Sequence, residues 1–469
     1  MKKSQILGLG LLLTINAASA ANIAIVDSGN DFQHKDLKAK AWVNPIEIPD
    51  NDRDEDKNGY PDDINGWNFA DSNNQLIDYS YAWSDTPDVR KYFDIQLKSF
   101  LGTITTEDRE WAKAKVQDAD FIKTITVFGN YMHGTHVTGI AAKFSNDAKM
   151  IGIKLIPTEV KLPGQKEQSL LITTGKTKAV VDLASANGGK GAIKDAVIKK
   201  ALSTLAVQQS AVFSQIGAYM KGAKADVMNG SFGTSYEAMA GVITTLYKTV
   251  FKKDPTADEL KLYTSYYFSV AVVETQKFLK ASPDTLFVFA AGNDGSNNDE
   301  FPTTPTNVVA ENKISVAAAL ADQSLANFSN YGVANVDVAA PGVGILSTTP
   351  KDTYTPVSGT SQASPYVAGV AGAVKDANPK LDFRGIKQII LETVDVKDWL
   401  KGKVRTSGLV NPARALRAAE LSRTMDLAHA IAQSKVDVLP KTSNEKGMAT
   451  YFQVPQGMVM PLPSLIIIK

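Results

Sequence analysis

Gly359-Thr360-Ser361-Gln362-Ala363-Ser364-Pro365 opens a stretch that runs on through Val367, Ala368, Val370, Ala371, Ala373 and Val374. A helix that is apolar on every face is a buried helix. Pro365 is tolerable only in the first turn of such a helix. The stretch therefore predicts a buried helix that carries Ser361 at its N-terminus, where unpaired N–H groups and the helix dipole favour developing negative charge. Outward from it, short apolar runs at residues 24–26, 150–153, 226–228, 286–289 and 314–317 alternate with helical patterns. That alternation predicts an α/β fold built on a parallel sheet.

Two further motifs precede the helix. Ile25-Val26-Asp27-Ser28-Gly29 closes an apolar, β-branched run, read as a buried parallel strand with Asp27 at its C-terminal end. Open α/β sheets place their chemistry at that end. In His133-Gly134-Thr135-His136-Val137, small residues follow the first histidine, and residues 133–142 read as the first turns of a buried helix. The chain thus offers Asp, His and Ser in order, one of three unrelated orders in which a catalytic triad is built. A Ser hydroxyl is a weak nucleophile and needs a base. A neutral imidazole titrates near working pH and serves as that base, and a buried carboxylate fixes its tautomer. Blander readings stand beside this one. A lone Asp after a strand is more often a cap or turn former. His133 and His136, three apart on a helix, have the spacing of a metal pair, although no Cys or third His stands near them.

Phe287-Val288-Phe289-Ala290-Ala291-Gly292-Asn293 and Val227-Met228-Asn229-Gly230-Ser231-Phe232-Gly233 complete the pattern. With these motifs in this order the chain resembles the subtilisin-like serine proteases (subtilases, peptidase S8). The resemblance implies a three-layer subtilisin-like α/β fold, its central, mostly parallel sheet flanked by helices, here with helical insertions. It implies a serine endopeptidase working through an acyl-enzyme, with Asp27 as orienter, His133 as base, Ser361 as nucleophile and Asn293 as oxyanion donor. It makes Ser231, Phe232, Gly233, Ala290 and Gly292 the substrate-binding residues. They would wall an open apolar pocket suited to large apolar side chains, beside a strand on which substrate backbone pairs. It leaves His136 as a structural neighbour of the base and His34 as a structural element. His429 reads as an ordinary surface or packing residue. A reading from a different class is a catalytically silent fold of this kind, used for binding or structure.

Lysine plus arginine number 50 and aspartate plus glutamate 49, so the charge balance names no nucleic-acid or membrane partner. The absence of cysteine excludes disulfides, thiol catalysis and a lipid-bearing Cys. Residues 1–20 read as a signal peptide, with Lys2-Lys3, an apolar stretch at 6–15 and Ala18-Ser19-Ala20 before the cut. The expectation is a secreted or periplasmic bacterial protein, monomeric, acting on protein or peptide substrates and free of the membrane once the signal is removed. Its domain spans residues 21–421, with a C-terminal extension at 422–469 that either assists folding or covers the groove. Maturation by signal removal alone would set the N-terminus at Ala21, in or beside the central sheet.

Asp27 and His133 lie 106 positions apart, about three times the separation in compact members of the resembled family. Part of the excess is a helical insertion expected around residues 106–121. A polar insertion is expected at 162–191, leading into a helix at about 192–221, and another helix at 256–280. The rest of the excess is acidic: Asp54, Asp56, Asn58 and Gly59 match the first half of a calcium loop, with oxygen ligands at alternate positions and a glycine for the turn. Asn65, not Glu, stands at the twelfth place, so this is no standard EF-hand. Structural calcium on Asp54, Asp56, Asn58 and Asp62 is the expectation, against a solvated acidic turn; no organic cofactor is expected.

Overall fold

A computed structural model of the chain describes residues 20–159, 191–321 and 323–440. The expected signal peptide up to residue 19, the polar insertion up to residue 190 and the extension beyond residue 440 lie outside the described residues. Twelve strands are described. The first eight are β1 (Asn22–Asp27), β2 (Gly66–Asn68), β3 (Lys149–Lys154), β4 (Val227–Gly230), β5 (Leu286–Ala290), β6 (Lys313–Leu320), β7 (Ser324–Leu325) and β8 (Val338–Pro341). The last four are β9 (Ile345–Thr349), β10 (Thr353–Val357), β11 (Asp395–Val396) and β12 (Gly408–Leu409). All but β9 and β10 join one sheet in the order β11-β12-β8-β6-β5-β4-β1-β3-β2, with β7 on β6. Only the β6–β7 and β11–β12 pairings are antiparallel in it; β9 and β10 form a separate antiparallel hairpin.

The chain builds one side of β1 first, with β3 beside it, and then crosses to build β4, β5, β6 and β8 on the other side. The strand order reverses at β1, and open α/β sheets hold their ligands beyond the carboxyl ends of the strands at such a point.

Ten helices are described: α1 (Pro87–Phe100), α2 (Thr106–Lys115), α3 (Ala119–Ala141), α4 (Gly191–Gly222), α5 (Tyr236–Phe251), α6 (Ala257–Ala281), α7 (Thr360–Ala377), α8 (Phe383–Glu392), α9 (Pro412–Leu421) and α10 (Leu427–Asp437). Alternation along the strands sorts the core into two layers. Ile23 and Ile25 of β1, with Val227, Val288 and Ile314, pack under α7 and the helices that follow it. Ala24 and Val26, with Met228, Phe287 and Phe289, pack against Phe213 and Ile216 of α4 and Phe278 of α6. The architecture is three-layered α/β. Ile431 of α10 belongs to the first layer, so at least the start of the expected extension is part of the main core.

One expectation needs correction. His133 is not in the first turns of a helix, because α3 begins at Ala119. Asp118 caps it, accepting from the N–H groups of Asp120 and Phe121. Phe121, Ile125, Phe128 and Met132, at helical spacing, pack with Val89, Tyr92 and Phe93 of α1 in a separate apolar cluster. The helical insertion expected around residues 106–121 is α2 with the N-terminal extension of α3; α1, which precedes it, was not expected. A third apolar cluster joins the N-terminal parts of α4 and α6 to α5.

α3 meets the loop after β1 backbone to backbone. A Cβ on Gly134 would lie 2.1 Å from the carbonyl oxygen of Gly29. Gly134→Ala is expected to force the two segments apart at a cost of about 1–3 kcal/mol. Because His133 is the adjacent residue, turnover should fall as well. Thermal unfolding and steady-state assays check both effects; an unchanged melting temperature would show that the contact yields.

Candidate active site

Asp27, at the carboxyl end of β1, is fully buried. Its Oδ1 accepts from the Ser28 N–H at 2.7 Å and lies 2.7 Å from His133 Nδ1. A carboxylate can only accept, so Nδ1 carries the proton and Nε2 is left as the basic nitrogen. The other oxygen, Oδ2, is buried and has no hydrogen-bond partner among the described residues. A buried carboxylate held in that way is stabilised when its neighbour becomes cationic. The loop after β1 is laced to α3 at several points. Gly134 N–H donates to Ser28 Oγ (3.2 Å), Asp31 N–H to Thr135 Oγ1 (3.0 Å) and Asn30 Nδ2 to Thr138 Oγ1 (2.6 Å).

Ser361 is the second residue of α7 and is almost fully buried. Its hydroxyl donates to the Ser231 carbonyl at 3.3 Å, and Ser231 Oγ donates to the Ser361 carbonyl at 2.9 Å. Among the described residues no hydrogen bond joins Ser361 to His133. Asn229 Nδ2 donates to Ser231 Oγ and Ser364 Oγ to Asn229 Oδ1, tying the end of β4 to the underside of α7. Asn293 follows β5, and its Oδ1 accepts from both the N–H (2.9 Å) and the hydroxyl (2.8 Å) of Thr360. That assigns Oδ1 to Thr360 and leaves Nδ2 as the donor end of the amide. Thr360 was missed as a functional residue, although it lies within the motif that located Ser361.

The second histidine differs in every respect. His136 is fully buried, and its Nε2 lies 2.9 Å from the Thr355 carbonyl and 3.1 Å from that of Ile345. Two carbonyls at one nitrogen make it the protonated one, and Gln362 donates weakly to Nδ1 at 3.5 Å. Burial pushes its pKa down to about 3. His136 thus pins the β9–β10 hairpin onto α3, and the two rings do not converge as a metal pair. His34 is also buried, accepting at Nδ1 from the Asp36 N–H and facing the Thr353 carbonyl with Nε2. His429 is exposed.

Ser231, Phe232 and Gly233 follow β4, while Ala290 ends β5 and Gly292 lies two residues beyond it. The Phe232 ring is buried in the second core layer, stacked on Phe213, so this segment can wall a groove only with its backbone. Gly292 has φ +117°, and a Cβ there would lie 2.3 Å from Asn330 Nδ2. Asn330, which sequence reasoning missed, braces that loop: its Oδ1 accepts from the Asp294 and Ser296 N–H groups.

In the acidic segment, carboxylate oxygens of Glu47, Asp54 and Asp56 lie within 4.8 Å of one another. Of the four expected ligands, Asp54 and Asp56 belong to this group. Asn58 uses its Oδ1 to accept from the Tyr60 N–H. Asp62 is outside this group; its two oxygens accept from the N–H groups of Asn51 and Asp52. Glu47 was missed because it precedes the run whose spacing drew attention. Nearby Asp63 is pushed up to about 6, chiefly by burial.

A mostly parallel α/β sheet with Asp27, Ser231 and Asn293 at its carboxyl ends, facing a helix N-terminus that bears Ser361, is the setting in which family membership can be read. The chain belongs to the subtilase family, whose sequence profile matches residues 18–418. It is 38% identical over 140 residues to alkaline elastase YaB of Bacillus sp. (strain YaB), covering 28% of this chain and 33% of that one. It is 25% identical over 414 residues to subtilisin-like protease 1 of Plasmodium vivax, covering 87% of this chain and 49% of that one. The alignments thus span a third to a half of these relatives' own length. Among solved structures, a cold adapted subtilisin-like serine proteinase superposes with TM-score 0.41 at 16% identity, over 84% of this chain and 88% of that one.

The His136 environment yields a pH prediction. Its folded value of about 3 lies below the ordinary 6.5, so between those values the unfolded chain binds more protons. The contribution of His136 to stability is complete above about pH 6.5 and declines as pH falls toward 3. His136→Gln, which cannot titrate there, should flatten that part of the curve of melting temperature against pH. Parallel curves for the two proteins would refute it.

Proposed function

We propose that this chain is an exported serine endopeptidase, secreted or periplasmic, that hydrolyses peptide bonds through an acyl-enzyme. The observation that carries the reading is the buried 2.7 Å contact between Asp27 and His133 at the end of β1. It commits Nδ1 to the carboxylate and leaves Nε2 to act as base. In the proposed cycle the Ser361 hydroxyl rotates from the Ser231 carbonyl to His133 Nε2, which takes its proton as Oγ attacks the substrate carbonyl. The vacated Ser231 carbonyl then accepts a substrate backbone N–H, as strand addition requires. The tetrahedral oxyanion takes donors from Asn293 Nδ2 and the Ser361 N–H at the start of α7. His133, now cationic beside Asp27, returns its proton to the leaving amine, and water repeats the sequence on the acyl-enzyme. In unliganded enzymes such catalytic hydrogen bonds are often long and tighten only on substrate. Among the described residues no helix is long and apolar enough to cross a membrane.

The second reading, a catalytically silent fold used for binding, draws on one observation: Ser361 is bonded to Ser231 and not to His133. A fluorophosphonate probe separates the two, since it labels only an activated serine. Labelling that Ser361→Ala abolishes is expected, together with a roughly 100- to 1000-fold fall in kcat for Asn293→Ala at little change in KM. No labelling of the intact chain would favour the silent fold.

Calcium is proposed on the acidic segment. The donors are hard oxygens, as that ion requires. They are also pre-set: Glu47 accepts from the N–H groups of Glu55, Asp56 and Asp62, and Asp54 from those of Asn58 and Gly59. Glu47, Asp54 and Asp56 would hold the ion, and its part would be structural. An ion that binds only the native state stabilises it by mass action. Chelation should therefore lower the melting temperature, and Glu47→Gln should remove most of that response. Identical melting curves with and without chelator would leave a solvated acidic turn.

A further inference from the structure

β1 and α7 are paired at both ends. At one end lie Asp27 and Ser361. At the other, the backbone nitrogen of Ala21 lies 2.6 Å from Oδ1 of Asp376, the penultimate residue of α7. The acceptor is a carboxylate, so the hydrogen bond is charge-assisted on the acceptor side. Asp376 Oδ2 accepts from the Ser145 hydroxyl, and among the described residues Asp376 has no ion-pair partner. The next nitrogen, that of Asn22, donates to Asp226 Oδ2 at 3.0 Å, and Asp226 does have a cation, with Lys375 Nζ 3.4 Å from its Oδ1. Ala21 is fully buried, its carbonyl accepting from the Lys149 N–H, whereas Ala20 is partly exposed. The chain therefore enters the core at the bond that follows Ala18-Ser19-Ala20.

We propose that Asp376 is the receiving site for an α-ammonium group created by cleavage between Ala20 and Ala21. A leader peptidase breaks the C–N bond; water supplies hydroxyl to the Ala20 carbonyl carbon and a proton to the Ala21 nitrogen. The new amine, with an ordinary pKa near 8, takes up one more proton at neutral pH. The resulting ion pair ties the base of the strand that carries Asp27 to the base of the helix that carries Ser361, so processing braces the frame of the site. The other charged groups around it are Lys40, Lys149 and Asp147, with Lys40 Nζ held by the Ser145 and Asn146 carbonyls and Lys149 Nζ by that of Ala39. The inference rests on the fold and on the proposed export, and not on the catalytic reading.

The test begins with N-terminal sequencing of the exported protein, where Ala21 is expected first. Two forms of the chain are then compared in a Ser361→Ala background, which prevents self-digestion: one begins at Ala21, the other retains Ala18-Ser19-Ala20 behind an initiating Met. An amine whose folded pKa is raised by a carboxylate contributes fully below about pH 8 and loses its contribution as pH rises through the folded value. The melting temperature of the Ala21 form should fall between pH 7 and 10 by about 1–3 °C more than that of the extended form. Asp376→Asn should erase the difference. A first residue other than Ala21, equal pH curves for the two forms, or an equal loss in both on Asp376→Asn would each overturn the proposal. The comparison of the two Asp376 forms stands even if the variant does not fold.

Discussion

A carboxylate shut away from water is the constraint around which this molecule is arranged. Asp27 ends the central strand with no exposure, and a buried charge is tolerable only if it is paired and hydrogen-bonded. Its partners are the N–H of the next residue and an imidazole from a helix on the other side of a 106-residue excursion. The imidazole reaches it only because Gly134 lets two backbones touch. The reversal of strand order at β1 opens the crevice, and α7 supplies a helix N-terminus to it. Remove the carboxylate from this setting and the partner that fixes the His133 tautomer is lost.

The two histidines of the His133-Gly134-Thr135-His136 run show how surroundings divide labour between identical side chains. One turn of helix separates them. His133 faces a carboxylate and keeps a basic nitrogen for other work. His136 faces two backbone carbonyls, which require a donating Nε2, and burial, outweighing their pull toward the charged form, keeps the ring neutral. Ser347 and Thr348 of β9 reinforce the dock by donating to the carbonyls of His136 and Thr135. One ring serves as a hinge pin for the hairpin; the other is left to the site.

Strands β1, β3, β4, β5 and β6 were legible in the sequence because both their faces are buried, so each reads as an apolar run; β8, the β9–β10 hairpin and the short strands β2, β7, β11 and β12 were not. The helix that opens with Ser361 was legible for the same reason. The start of α3 was not, because Gly134 and its small neighbours look like a beginning, whereas the cap is Asp118 and the stripe Phe121, Ile125, Phe128 and Met132 faces a separate cluster. α5 escaped notice, since its partners are other inserted helices and not the sheet. Phe232 was expected at a pocket wall because its neighbours are there, but alternation sends its ring into the core. Linear spacing left out Glu47, because it precedes the acidic run and only the fold of the loop brings it beside Asp54 and Asp56.

The long helices α4 and α6 each belong to two cores at once. Val197, Leu202 and Leu205 of α4 and Tyr263, Tyr267 and Ala271 of α6 lie in the outer cluster with α5. Phe213, Ile216 and Met220 of the first, and Phe278 and Leu279 of the second, lie beneath the sheet. In mechanical terms they are two cantilevers, clamped at the sheet and joined at their far ends by a crossbar. The crossbar α5 starts three residues beyond Gly233, and Thr234 between them exchanges backbone hydrogen bonds with Thr304. Load on the outer helices therefore has two routes inward, one through the cantilevers to the floor of the sheet and a shorter one through Thr234 to the segment that follows β4.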